Sequence, residues 1–307
     1  MQIKRILVTT DFSESSRLTF SVAASFARRF GAELHVAHVL EAVPTSLYFS
    51  PTGAQSYSPS ADYRLKFREL LDTVAKAPEW GGLAVKPHLL EDRDVAGRLV
   101  QFQKHQHIDF TITASRGRSA LEHFFLGSTA EKLVRRSATP VLVYRTAPGA
   151  APPPEFAPQR IIVPFDYSEN ARAVFPLLRF LVRTFQSQVC LVHALEALPD
   201  LTVLSWEGIA PIQSDVVLAE APGKARQELE SLIRKDLSDL PKVEAVAELG
   251  NAYQVIVKEA VRFKADLILI ATHGWTGLKH VVMGSIAEKV IRKAPCSVLA
   301  LKPEAMA

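Results

Sequence analysis

Two stretches of the chain place glycine and serine at a spacing suited to holding an anion. The first reads Ala114-Ser-Arg-Gly117, nine residues, then Gly127-Ser128. The second reads Ala271-Thr-His-Gly274, nine residues, then Gly284-Ser285. Gly117 and Gly274 let the backbone come close to a ligand or adopt positive φ. A Gly-Ser pair directly before a helix turns free N–H groups and the positive end of the helix dipole toward whatever lies above, which is phosphate-binding chemistry. The same residues carry a second reading. Ser128-Thr-Ala-Glu131 and Ser285-Ile-Ala-Glu288 fit the S-x-x-E capping box, which satisfies a helix start without any ligand. A capping box leaves the glycines at both ends of the spacer unexplained. Two carboxylates complete the set: Asp11 before Ser13-Glu14, and Asp166 before Ser168-Glu169. A carboxylate at a strand end can meet a ribose hydroxyl or a metal-bound phosphate, and Asp or Ser there can equally cap the next helix.

Everything in this set occurs twice because the chain repeats itself. Residues 3–17, IKRILVTTDFSESSR, match residues 158–172, PQRIIVPFDYSENAR. HVAHVLEA (35–42) matches CLVHALEA (190–197), with His38 opposite His193, and the glycine segments match in turn. The period marks an old duplication of one domain. Five prolines fall within residues 146–158, a composition suited to a semi-rigid linker. The expected division is a first domain over 1–146, a linker over 147–158 and a second domain over 159–304.

Within each half, short apolar runs alternate with amphipathic stretches. Strands are expected near 3–10, 34–40, 84–90, 109–114 and 140–145, and helices over 15–30, 61–77, 94–106 and 128–137. Strands near 160–165, 189–195, 243–248, 266–271 and 297–302 repeat the order. This alternation predicts an α/β fold: two tandem repeats, each a five-stranded open parallel sheet with helices on both faces. In such sheets ligands bind beyond the carboxyl ends of the strands, where the strand order switches. The glycine segments and both aspartates fall there. The final strands, PVLVY and SVLAL, would leave apolar edges exposed. Covering these edges is one problem such a chain must solve.

Composition narrows the classes. The 307 residues are 48% hydrophobic and 22% charged, as in a folded protein. No apolar run approaches the ~18 residues of a spanning helix, so no membrane insertion is expected. The start MQIKRILVTTDFSES reads as a first strand and not a signal peptide, which favours a cytoplasmic location. The net charge of +4 comes without a Lys/Arg block, so a nucleic-acid partner gains little support. Cys190 and Cys296 sit in apolar strand-like runs and read as buried free thiols. His105 and His107, the one close histidine pair, read as a surface pair and not a metal site. P-loop, GxGxxG and GxSxG signatures are missing, and no residue stands out as a general base.

With these motifs in view, the chain resembles the universal stress proteins of tandem type. In that family an ATP-binding motif reads G-x-x-G, nine residues, G-[ST]. The resemblance covers nearly all of both halves, and THGWTGLKHVVMGSIAEKVIRKAPCSVL is very typical of it. It implies a Rossmann-like fold of the adenine nucleotide alpha hydrolase kind and a stress-response protein that binds ATP, with or without magnesium. It also implies that the two halves pair through their final strands within the chain, and that a homodimer forms through the same strands. The implied nucleotide-binding residues of the second domain are Pro164, Asp166, Ala194, Ala271, Gly274, Gly284, Ser285 and Ile286. Those of the first are Asp11, Val39, Ala114, Gly117, Gly127, Ser128 and Thr129.

The departures set the halves apart. Alanine replaces the first motif glycine in both. After the third strand the second half has Gly250-Asn-Ala, whereas the first has Glu91-Asp92-Arg93-Asp94, three carboxylates that would repel a triphosphate. Glu122 stands where the second half has Lys279, partly offset by Arg116 and Arg118. The second half is therefore expected to be the better ATP site. The competing readings are a non-nucleotide scaffold or small-ligand or lipid carrier of the same fold, and a slow ATPase or self-phosphorylating protein with Ser128 or Ser285 as acceptor. Trp275 reads as packing against the other domain.

Overall fold

The computed structural model describes residues 2–41, 60–115, 126–145, 155–196, 214–273 and 283–302. In the first half β1 (Arg5–Thr9), α1 (Glu14–Phe30), β2 (Glu33–Glu41), α2 (Ala61–Ala75), β3 (Val85–Asp92), α3 (Val95–His105), β4 (Phe110–Ala114), α4 (Ser128–Arg136) and β5 (Val141–Tyr144) follow one another. The second half runs β6 (Arg160–Pro164), α5 (Glu169–Arg172), α6 (Phe175–Phe185), β7 (Gln188–Leu195), α7 (Ser214–Asp236), β8 (Val243–Leu249), α8 (Ala252–Arg262), β9 (Leu267–Ala271), α9 (Ser285–Lys293) and β10 (Ser297–Leu301). The expected strands all form, within a few residues of their predicted ends. The halves differ at one helix. Where α1 is continuous, its counterpart breaks into α5 and α6, with Pro176 in the first turn of the second piece, where a missing N–H costs nothing.

The strands form one ten-stranded sheet in the order β3-β2-β1-β4-β5-β10-β9-β6-β7-β8. All pairings are parallel except β5 with β10, whose antiparallel register sets Leu142 opposite Leu299. Strands of the two halves therefore run in opposite senses. Side chains alternate across the sheet as strand geometry requires. Ile6, Val8, Leu34 and Val36 face α1 and α2, while Leu7, Ala37 and Val39 face α3 and α4. Both faces are buried, which explains the nearly continuous apolar strands.

The halves meet on both faces of the β5–β10 joint. On one face Phe26 and Phe30 of α1 meet Phe180 and Phe185 of α6, with ring centroids 5.4 Å apart for Phe26–Phe185 and 4.9 Å for Phe30–Phe180. On the other, α4 and α9 exchange ion pairs: Arg135 reaches Glu131 (3.1 Å) and Glu288 (3.6 Å), and Arg292 reaches Glu288 (3.0 Å) and Glu131 (3.2 Å). Arg145 donates to the carbonyls of Ile291 and Arg292, both at 2.9 Å, closing the C-terminal end of α9. The expected pairing of last strands is thus made inside the chain. It corrects one expectation: β5 is flanked by β4 and β10, and β10 by β5 and β9, so neither strand has an edge left for strand pairing with a second copy.

Candidate functional site

In each half the chain leaves its first strand and makes the same turn. Asp11 Oδ1 accepts from the Ser13 amide (3.0 Å) and the Ser13 hydroxyl (2.5 Å). Ser13 Oγ in turn accepts from the Ser16 amide at 3.2 Å, so serine is the cap of α1 and the aspartate holds the cap in place. Asp166, Ser168 and the Ala171 amide repeat this at 3.0, 2.5 and 3.0 Å. Between the two polar residues stands an aromatic at positive φ, Phe12 at 63° and Tyr167 at 61°. For a residue with a side chain that conformation costs on the order of 1–3 kcal/mol and is concentrated at functional sites.

The capping-box reading of the glycine segments is overturned. The N-cap of α4 is Gly127, with no side-chain cap; Ser128 is already the first helical residue. Gly127 donates to the Ser115 carbonyl at 2.8 Å, and the helix ladder begins only where Glu131 donates to Gly127. The amides of Ser128, Thr129 and Ala130 lie between and have no helical acceptor. Glu131 turns away to Arg135 and Arg292. Gly284 caps α9 in the same way, bonded to the Thr272 carbonyl at 2.8 Å, and Glu288 turns to Arg292. A sequence pattern cannot separate an N-cap serine from one position further in, and here that single step leaves three donors open.

These donors border a cleft of about 470 Å³ in the first half, within the range of small-molecule sites. It lies at the switch point, where the chain passes from β1 outward to β2 and β3 and then returns to β4 on the other side. The ends of β1 and β4 contribute Thr9, Thr10, Asp11, Thr113 and Ala114; the end of β2 contributes His38, Val39, Leu40 and Glu41; α4 contributes Gly127, Ser128, Thr129 and Ala130. Asp11, Val39, Ala114, Gly127, Ser128 and Thr129 are thereby brought together around one cleft. Gly117 lies outside the described residues. Pro164, Asp166, Ala194, Ala271, Gly284, Ser285 and Ile286 hold the matching places at the ends of β6, β7 and β9 and the start of α9. Gly274, Trp275, Lys279, Glu122, Arg116 and Arg118 lie outside the described residues.

The cleft also holds hydroxyls and rings that the sequence reading did not single out, beside the histidine pair that it did. The first cleft has a hydroxyl-lined floor: Thr9 Oγ1 bonds Thr113 Oγ1 at 2.8 Å, and Thr10 Oγ1 lies 3.0 Å from Ser16 Oγ. The second half has Pro164, Phe165, Ile270 and Ala171 at the corresponding places. His38 and His193 each donate Nδ1–H to the carbonyl of the residue after the first strand, Thr10 and Phe165, at 2.8 Å, as satisfied imidazoles. Tyr63 and Phe67 of α2 also line the first cleft. An aromatic pair four residues apart on a charged helix was the available signal, but only the fold brings it to the strand ends.

The acidic loop is also less repulsive than its composition suggests. Arg64 binds Glu91 through two hydrogen bonds of 2.7 and 3.0 Å. Asp92 accepts from the Asp94 amide. Asp94 caps α3 through the Gly97 amide and pairs with Arg136, and these partners hold its carboxyl below the usual range. At the matching place Gly250 has φ +147°, a conformation in which a side chain is strained, and an added Cβ would meet Val255 at 3.2 Å. Among the described residues no three His, Cys, Asp or Glu side chains are grouped to hold a metal ion. No helix there is long and apolar enough to cross a membrane.

A doubled parallel α/β unit with its switch points at the strand ends defines a class of Rossmann-like proteins, and comparison with known proteins narrows the class to a family. The model of the universal stress protein family matches residues 2–145 and again 158–302, so the chain belongs to that family as a tandem member. It is 29% identical over 155 residues to universal stress protein MJ0577 of Methanocaldococcus jannaschii, covering 47% of this chain and 94% of the relative. It is 26% identical over 202 residues to universal stress protein Rv2005c of Mycobacterium tuberculosis, 62% of this chain and 61% of that one. In fold it is similar to a universal stress protein from Archaeoglobus fulgidus, with a TM-score of 0.68 at 19% identity over 99% of this chain and 100% of that one. A functionally unknown protein from Pseudomonas aeruginosa, PA1789, gives a TM-score of 0.65 at 16% identity, over 99% of this chain and 94% of that one.

Proposed function

We propose that the chain is a cytoplasmic stress-response protein that binds ATP at the carboxyl ends of the strands and acts as a nucleotide-responsive binding module. The observation that carries this reading is the pair of uncapped helix entrances, where the amides of Ser128, Thr129 and Ala130, and of Ser285, Ile286 and Ala287, follow a glycine N-cap. Three convergent N–H donors at the positive end of a helix dipole suit the terminal phosphates. Asp11 or Asp166, fixed by its serine, faces the ribose, and the backbone at Val39 or Ala194 offers polar groups to the adenine edge. Magnesium would travel on the phosphates. The fit rests on these donors and on a cleft of about 470 Å³.

The second half is the tighter site in this reading. Gly250 supports it, since its backbone conformation brings the end of β8 close without a side chain. In this reading any turnover of bound ATP is slow. Mass spectrometry of the gently denatured protein tests the reading. Release of ATP or AMP supports it; release of a lipid, or of nothing after incubation with ATP and magnesium, replaces it with the carrier or scaffold alternative.

A further inference from the structure

The first cleft has one wall that its phosphate chemistry does not use. Along α2, Leu71 is 2% exposed and Phe67 9%, but Tyr63, one turn further toward the cleft, is 49% exposed. The apolar stripe of the helix thus runs out of the core and ends on the cleft. Tyr63 packs on Phe67 with centroids 4.8 Å apart, and Phe67 lies parallel to His38 at 5.2 Å and 7°. His38 is fixed by its bond to Thr10 and touches Phe12 at 4.5 Å. Tyr63 leans on the Phe67–His38 stack at a tilt of 48°, and a ring supported in this way loses little freedom when a flat ligand settles on its exposed side. Among its described residues the second half lacks this device at the same place. Aligning the buried pair Phe67–Leu71 with the buried pair Ala225–Leu229 sets Tyr63 opposite Ala221.

Resting on the nucleotide reading above, we propose that Tyr63 is a specificity-determining residue of the first cleft, the platform on which the base of the nucleotide stacks. The ligand class is a planar aromatic base joined to an anionic tail. Stacking depends on the face of the base and tolerates changes at its edge. The first half therefore draws more of its affinity from the base, and the second more from the phosphates.

The test uses the full chain carrying Gly284→Asp, which blocks the second helix entrance, titrated calorimetrically with ATP and with tripolyphosphate. Tyr63→Ala should raise the Kd for ATP about tenfold, as loss of one aromatic stacking partner does, and leave tripolyphosphate unchanged. Tyr63→Trp should restore ATP affinity, and its added fluorescence should be quenched by ATP. Tyr63 is a rim residue, and an unchanged melting temperature confirms that each variant folds. If Tyr63→Ala binds ATP as tightly as its parent, stacking is refuted while nucleotide binding stands. If the Gly284→Asp chain binds no ATP although the unmodified chain does, the first cleft takes no nucleotide and the proposal falls alone. If the unmodified chain binds none either, both fall.

Discussion

Replacing Gly127 or Gly284 by aspartate separates a ligand-binding helix entrance from a merely structural one. Both glycines have ordinary backbone angles, φ −62° and ψ 140° for Gly127, φ −58° and ψ 142° for Gly284, which any residue adopts without strain. Aspartate is a good N-cap, and its carboxylate would accept from the second and third helical amides. The helix should gain a few tenths of a kcal/mol over glycine. The same carboxylate takes two donors away from a phosphate. A hydrogen bond to a charged group contributes about 1.5–3 kcal/mol, so two lost at the lower figure come to about 3 kcal/mol, roughly a hundredfold in Kd. Repulsion between carboxylate and phosphate adds to this. Calorimetric titration with ATP and magnesium, on each variant and on the double variant, reads the loss half by half. Gly127→Ala and Gly284→Ala are the controls, because they leave the amides free and should keep most of the affinity. An aspartate variant that melts at or above the parent's temperature and binds ATP equally well would show that these amides hold no phosphate.

Other outcomes follow from the fold and its charges. Burial pushes both Cys190 and Cys296 up to about 12, so a thiol reagent at pH 8 should leave the native protein almost unmodified and label both cysteines in guanidinium; rapid native labelling would contradict this. His88 is pushed down to about 4 by burial, with His35 and Lys86 adding to the effect, whereas an unfolded histidine titrates near about 6.5. The unfolded chain then binds more protons between those values, so stability is full above about pH 6.5 and falls as the pH drops toward 4. Melting curves across that window should show the decline, and His88→Phe should flatten it. Phe185→Ala removes the ring that meets Phe26 and Phe30 across the halves and should cost about 3–5 kcal/mol in denaturant unfolding. Arg292→Ala, at a half-exposed network, should cost less than about 1 kcal/mol; a larger loss would mean that the ion pairs, and not the rings, hold the halves together.

Much of this architecture was legible because its causes are local. Apolar strands bounded by turn residues, and a repeat that supplied every signal twice, place β1 to β10 within a few residues of their observed ends. Gly31, at φ 65°, ends α1 where the sequence stops its helix. The site was legible to the level of residue type and not of role. Asp11 and Ser13 could each have capped α1; only the coordinates show the aspartate anchoring the serine. Ser128 satisfied a capping pattern that is displaced by one residue in space. The acidic loop looked repulsive because its partners, Arg64 and Arg136, come from helices 27 and 42 residues away in sequence. Tyr63 and Phe67 meet the cleft only through the packing of α2 against β3, which no short-range pattern encodes.

The single antiparallel joint between β5 and β10 decides where the two helix entrances lie. Because the strands of one half point opposite to those of the other, the entrances at Gly127 and Gly284 open on opposite margins of the same slab. One small molecule cannot bridge them. The duplicated chain therefore carries its two helix entrances at opposite ends of one ten-stranded sheet, with different side chains around each.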